Sequence, residues 1–468
     1  MKLKFTHILG LLLFSIASTI AFGQDSTVLT FDEYRAIVLQ NHPLSRQSDL
    51  LIDKGQAYRQ KAKGNFDPKI DASAQQKYFK GDQYYSLLGA GLKIPTWYGL
   101  SVKTGFDQND GTRLNNQNYL PDAGLWYAGI ELAVGRGLLI DNRRAELKKA
   151  NIYVESSIQQ RRILLNELMY QSSAAYWDWF KAYNKVVVYA NAMANAEFRL
   201  RSTVQSAQLG DKPFMDTLEA HVQMQTVAFS YLDAQYDYFS KSRLLEIYLW
   251  GPNLEPLELD SLTAPPLYGN LTNSNMDPEI LLKIDSIRTN HPELLNAQYK
   301  IDMKQVDIQL GRENLKPELN FKYNAIAEPI SGNPFTEYSI ENYTWGVDFS
   351  IPIFLRKERN QLKIYKIEKE NLENSLAFKQ SQINYKVESQ LEYLNTVQQQ
   401  INIWSSTTVQ YATLLDNEFT LFNIGESSMF KVNYRQKKYI EAQNKLIEVM
   451  AENEKSILKL EYVLGISN

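Results

Sequence analysis

Two periodicities alternate along this chain, and the alternation occurs twice. Ile70, Ala72, Ala74 and Tyr78 share one face of an extended segment, with Asp71, Ser73, Gln75 and Lys77 on the other. Trp126, Ala128, Ile130, Leu132 and Val134 are set against Tyr127, Gly129 and Glu131 in the same way. Later, Leu319, Phe321, Tyr323 and Ala325 alternate with Glu318, Asn320, Lys322 and Asn324. Tyr343, Trp345, Val347, Phe349 and Ile351 alternate with Thr344, Gly346, Asp348 and Ser350. A period of two predicts strands with one apolar and one polar face. After each strand pair the period changes to threes and fours, as in Ile152, Ile158, Leu165, Leu168 and again Ile364, Ile367, Leu372, Leu376. These stretches run without proline from near Asn142 to Gly210 and from near Glu358 to Gly425. Each predicts a helix about 100 Å long at a rise of ~1.5 Å per residue.

Shorter helices are expected to complete the packing. Segments 214–250 and 429–464 should return antiparallel after the glycine turns, covering about half of each long helix. Segments 31–65 and 279–315 have the length to cover the other half. Thr30 can cap the first of these, with Asp32 and Glu33 in its opening turn, and Asn41-His42-Pro43 should interrupt it. The Pro-rich segment 251–278 lacks a helical period and is expected to wrap the outside of the helical wall.

The order of elements reflects an internal duplication. Asn41-His42-Pro43 returns as Asn290-His291-Pro292 and Pro68 as Pro317, both at a spacing of 249. Gly129 answers Gly346 at 217, and Gly210 answers Gly425 at 215. The first copy therefore carries 32 extra residues between its strands. That insertion holds two more alternating runs, 84–94 and 97–106, and a polar stretch, 107–118. They could be extra wall strands or a hairpin outside the cell, and the reading leans to the projecting hairpin. The expected organisation is a leader at 1–23, a first repeat at 24–250, a linker at 251–278 and a second repeat at 279–468.

The leader changes the picture most. Lys2 and Lys4 precede an apolar run, and Ala21-Phe22-Gly23 offers small residues at a cleavage point. This predicts a secretory signal peptide. No other stretch nears the ~18 apolar residues of a helical span, so a membrane crossing would need a closed β-barrel. The chain has no cysteine, which excludes disulfides and thiolate chemistry. A formal net charge of −3 gives no reason to expect nucleic acid. The 29 tyrosines suit surfaces where an apolar wall meets water. His42, His221 and His291 lack metal-ligand spacing, and no catalytic triad or phosphate-binding glycine loop is present. Gly135-Arg136-Gly137 and its counterpart Pro352 read as devices for bending strand into helix. The sequence therefore gives no site for an enzyme and no cofactor. Four to six strands with open edges cannot rest in lipid alone, because each unsatisfied backbone group costs several kcal/mol, so an oligomer is expected.

The opening Leu29-Thr30-Phe31-Asp32-Glu33-Tyr34, the two Asn-His-Pro motifs, the Pro68 and Pro317 strand starts and the Leu209-Gly210 and Ile424-Gly425 turns occur in a recognisable order. With 216–220 and 439–442 they make the chain resemble the TolC family of outer-membrane export ducts. The resemblance implies a mainly helical fold with a membrane β part, in which a homotrimer forms one transmembrane β-barrel and one periplasmic α-barrel. It implies outer-membrane lipid, a periplasmic adaptor and an inner-membrane transporter as partners. It further implies that Leu209, Gly210, Ile424 and Gly425 are adaptor docking tips, and that Asp216, Glu219, Lys431 and Tyr434 line a periplasmic aperture. Ser427 stands where the family often has arginine, so a Lys431–Asp216 pairing between hairpins is one substitute. The rival reading is a periplasmic coiled-coil scaffold or adaptor without a barrel.

Overall fold

The computed structural model describes residues 27–466 apart from 261, 272–273, 275, 283 and 330–338. The expected leader at 1–23 lies outside the described residues. In chain order the elements are β1 (Thr27–Val28), α1 (Phe31–Asn41), α2 (Pro43–Lys63), β2 (Lys69–Phe79), β3 (Asp82–Pro95), β4 (Leu100–Asp110) and β5 (Leu125–Ala133). There follow α3 (Asn142–Gln208), α4 (Phe214–Glu246), β6 (Thr263–Ala264), α5 (Pro278–Leu282), α6 (Ile284–Thr289) and α7 (Pro292–Glu313). The second strand pair is β7 (Glu318–Ala327) and β8 (Tyr343–Ser350), before α8 (Arg356–Asn423) and α9 (Met429–Leu464).

The long helices α3 and α8 have 67 and 68 residues. Each lies along two shorter helices placed end to end: α2 and α4 beside α3, and α7 and α9 beside α8. The halves join because α3 also packs on α7 and α9. A single helix of this length has no core of its own, so packing against its neighbours stabilises it, along both flanks for α3 and along one for α8. Local chemistry sets the ends. Thr30 and Glu33 form a reciprocal capping box at α1, and Asp141 caps α3 by accepting from the Arg144 N–H at 2.9 Å. The main core sits mid-height, where Tyr34 and Val38 of α1 meet Leu168, Tyr176, Trp179 and Phe180 of α3, Leu245 of α4 and Leu458 of α9.

The histidines of the two Asn-His-Pro motifs are helix caps. His42 Nδ1 accepts from the Leu44 N–H at 3.1 Å, and His291 Nδ1 accepts from the Glu293 N–H at 3.2 Å. His291 Nε2 lies 3.1 Å from the Val463 carbonyl oxygen, so with Nδ1 accepting, the neutral ring donates from Nε2. Burial lowers both imidazole pKa values. The folded state therefore takes up a proton less readily than the unfolded chain. Its stability is complete above an unfolded pKa of about 6.5 and is lost as pH falls towards the lower folded value. His291→Ala is expected to cost about 1 kcal/mol at pH 8. His291→Asn should keep the cap and lose less stability than the parent between pH 6.5 and 5, measured as thermal midpoints in detergent.

The segment before α5 crosses the helical part as a strap. β6 pairs in parallel with β1, the Tyr268 N–H donates to Asn184 Oδ1 at 2.9 Å, and Asn453 Nδ2 of α9 donates to the Ser274 carbonyl at 2.9 Å.

The sheet contains six antiparallel strands in the order β2-β3-β4-β5-β7-β8. This corrects the expectation of a projecting hairpin for the inserted runs, because β3 and β4 are inner strands of the wall. Two features hold them there. A two-residue turn with Lys80 and Gly81 at positive φ sends β3 directly back along β2. The β3–β4 turn is seated on the helical part, with Trp97 stacked on Phe66 at a centroid distance of 4.6 Å.

Candidate functional site

The wall has two chemically distinct faces in register across all six strands. One carries Ile70, Ala72 and Ala74 beside Leu92, Ala90 and Leu88, then Val102, Ile130, Tyr323 and Trp345. The other carries Asp71, Ser73, Lys93, Lys103, Asp107, Glu131, Lys322, Asn324 and Asp348. Strand alternation that stays apolar on one face and charged on the other makes a lipid-facing wall around a wet lumen. The charges neutralise one another locally. Glu131 accepts from Lys93 at 3.0 Å and from Lys103, while Lys322 pairs with Asp348 and Arg136 with Glu318 at 3.1 Å.

Below the sheet the chain bends into its helices through a clasp between the two repeats. The Arg136 N–H donates to the Pro317 carbonyl at 2.7 Å, and Arg136 Nε donates to Asn314 Oδ1 at 3.0 Å. The buried Glu313 carboxylate accepts from the Leu139 N–H at 3.1 Å. In the second copy the bend falls at Leu355, which adopts φ 48 just before α8.

At the far end, the two helical hairpins turn by the same mechanism. The Gly210 N–H donates to the Ala207 carbonyl at 3.1 Å and the Asp211 N–H to the Ser206 carbonyl at 3.0 Å. Gly425 donates to Phe422 at 3.2 Å and Glu426 to Leu421 at 2.9 Å. Both are Schellman closures, which need a left-handed residue, and the glycines have φ of +82 and +81. Nothing packs against either glycine, so the turns are free tips. They present apolar groups to solvent: Leu209 is 72% exposed and Ile424 64%, flanked by Phe214, Met215 and Phe430. Lys212 Nζ lies 3.7 Å above the Phe422 ring and ties one tip to the other.

The four aperture candidates sit just past these tips but do not form one cluster. Asp216 and Glu219 lie one turn apart at the start of α4, both partly exposed. Neither makes an ion pair among the described residues, and no Lys431–Asp216 pair occurs within the chain. Lys431 is exposed and acts on Glu418 of α8 instead, while Tyr434 is half-exposed under the Arg435 guanidinium. Glu418 is the centre of the polar chemistry here, although nothing in its sequence position singles it out. It is 8% exposed, accepts from the Ser427 hydroxyl, and is reached by Arg435 Nε at 3.4 Å. The Ser427 hydrogen bond, with Arg435 and Lys431, holds its carboxyl below the usual range.

Arg199 of α3 reaches across to the same hairpin. Its Nη1 donates to Asn433 Oδ1 at 3.5 Å, its guanidinium lies 5.6 Å from the centre of the Phe419 ring, and burial pushes its pKa down to about 10. Only the fold brings these groups together, because Arg199 and Asn433 are 234 residues apart.

Known proteins fit this geometry. The Outer membrane efflux protein family matches residues 283–465, which is the second repeat. No curated protein matches the chain. Among solved structures, the Campylobacter jejuni CmeC outer membrane channel is 13% identical with a TM-score of 0.65, covering 93% of this chain and 86% of that one. The Neisseria gonorrhoeae MtrE outer membrane channel, in its open state, is 12% identical with a TM-score of 0.66, covering 93% and 88%. The Vibrio cholerae outer membrane protein VceC is 12% identical with a TM-score of 0.60, covering 93% and 96%. At such identities the likeness is one of fold. Residues 283–465 thus match the outer membrane efflux protein family in sequence, and nearly the whole chain shares the fold of outer-membrane channels.

Proposed function

We propose that the chain is one third of a passive exit duct, with its strands in the outer membrane and its helical hairpins in the periplasm. Transport through it is driven by an inner-membrane transporter, to which a periplasmic adaptor couples the hairpin tips. The observation that carries this reading is the pair of unfinished edges. Among the described residues, strands β2 and β8 have no outer neighbour. A bare strand edge in lipid leaves backbone groups unsatisfied at several kcal/mol each, so the sheet must close on other copies. The helical part ends at the same two sides, with α2 and α4 below β2 and α8 below β8. Both flanks carry exposed apolar rows, among them Phe229, Tyr236 and Phe239 on α4 and Phe378 and Tyr385 on α8. One rotation therefore satisfies both edges, the head-to-tail contact that makes a closed ring.

The exposed Leu209 and Ile424 give an adaptor apolar knobs to grip, and Asp216, Glu219, Lys431 and Tyr434 lie where cargo enters. No step of covalent chemistry is involved. The test is purification of the full chain from the outer-membrane fraction, its mass in detergent, and single-channel recording in a planar bilayer. A three-chain assembly that conducts ions is expected. Asp216→Ala with Glu219→Ala should weaken block by divalent cations at least severalfold, because a ring of carboxylates concentrates cations. Unchanged block would remove both residues from the entrance, and a soluble lone chain would return the scaffold reading.

A further inference from the structure

Six strands per chain have a consequence for what the duct can carry. At every height of the helical part, each chain supplies four columns: α3 and α8, with either α2 and α7 or α4 and α9. Three copies then make twelve columns, and with axes about 9.5 Å apart the helical tube measures about 114 Å around. Three copies of six strands make eighteen. At a spacing of about 4.8 Å and a tilt of about 40°, eighteen strands measure about 113 Å around. Four strands per chain would close at about 75 Å and narrow the tube by about a third where strand meets helix. The inserted pair β3–β4 therefore matches the circumference of the wall to that of the helices on which its turn is seated.

The lining points the same way. Gly89 and Gly91 of β3, Gly105 of β4, Gly129 of β5 and Gly346 of β8 all fall on the polar face. The Tyr127 phenol lies against two of them, close enough that a Cβ on Gly91 or Gly105 would collide with it. The five glycines place no side chain in the bore, so they take little from it.

We infer that three copies close an eighteen-stranded barrel as wide as the helical tube beneath it, so that the duct passes bulky cargo through the membrane without narrowing. This rests on the trimeric-duct reading above. Facing backbones stand about 36 Å apart, leaving about 26 Å once a side-chain layer of about 5 Å is subtracted on each side. That is the diameter of a compact folded domain of about 50 residues. A bore of that width admits polypeptide or similarly bulky solute as well as small molecules.

The cysteine-free chain allows a direct test with single-cysteine variants of the full protein in lipid nanodiscs. Leu87→Cys and Asn109→Cys lie on the polar face of β3 and β4, and Leu88→Cys and Val102→Cys on the apolar face. A charged maleimide should modify the first pair at least about tenfold faster, because the second pair faces lipid. Equal labelling of all four would make β3–β4 a projecting hairpin and overturn the inference. Ser73→Cys, at mid-wall on the polar face, should also react with maleimide carried on a polymer of about 10 Å radius, which a twelve-stranded bore of about 7 Å clear radius excludes. Exclusion of that polymer, with the small reagent still reacting, overturns the wide bore while leaving the duct reading intact. A mass other than three chains overturns the duct reading itself, and the strand count with it.

Discussion

Gly129→Ala is expected to prevent the outer-membrane assembly from forming, while Gly346→Ala leaves it unchanged. The two glycines occupy the same place in the two repeats, yet their surroundings differ. At Gly129 a Cβ would collide with the Tyr323 carbonyl oxygen and the Asn324 side chain, and would lie 2.8 Å from the Asn324 Cα. Two of these obstacles are backbone and cannot step aside. At Gly346 nothing lies within 4 Å. The position matters because Gly129 pairs with Asn324 in the β5–β7 seam, the strand contact that joins the repeats. Overpacking a fixed core typically costs about 1–3 kcal/mol, and a clash against backbone should exceed that range. The readout is the fraction of chain recovered from outer membranes as the heat-dissociable assembly of the proposed duct. Equal recovery of the two variants would show that the seam can spread.

Trp179→Ala should be the most costly change in the helical part. Trp179 is fully buried where α1, α3, α4 and α9 converge, and its indole N–H donates to Ser242 Oγ at 3.1 Å. Removing the ring leaves a large cavity and takes one of two hydrogen-bond partners from the Ser242 hydroxyl, which keeps the Tyr238 carbonyl at 2.9 Å, a loss of about 3–5 kcal/mol. Trp179→Phe keeps most of the packing and forfeits mainly the hydrogen bond, so about 1–1.5 kcal/mol is expected. Thermal unfolding followed by helical circular dichroism in detergent should rank parent, Phe and Ala in that order. If Ala matched Phe, the core would have collapsed around the gap.

Much of the architecture was legible because its signals are local. Alternation at Leu319–Ala325 and at Tyr343–Ile351, unbroken helical stretches ending at Gly210 and Gly425, and the Thr30 cap each depend on neighbours a few residues apart. The duplication then supplied the order. The placement of β3 and β4 was not legible in the same way. An alternating run looks identical whether it pairs inside a wall or projects from it, and the deciding contact, Trp97 on Phe66, joins separate elements. The polar cluster behind the tips was hidden for a similar reason. Ser427 stands where the resembled family often has arginine, but Glu418, Arg435 and Arg199 come from three different helices and form no motif along the chain. The aperture candidates carried over from the family resemblance, Asp216 and Glu219, stand apart from that cluster.

The β5–β7 seam also constrains how the protein can be made. Strands β2 to β5 follow one another in the chain and pair through short connections, whereas the seam joins Ala133 to Asn320 across the whole of α3, α4 and the strap. Closing so long a loop is slow compared with forming hairpins. A polypeptide cut short before Glu318 would have a four-stranded meander ending in β5 as a bare, apolar, sticky margin. Incomplete synthesis thus yields an aggregation-prone fragment rather than a half-sized pore.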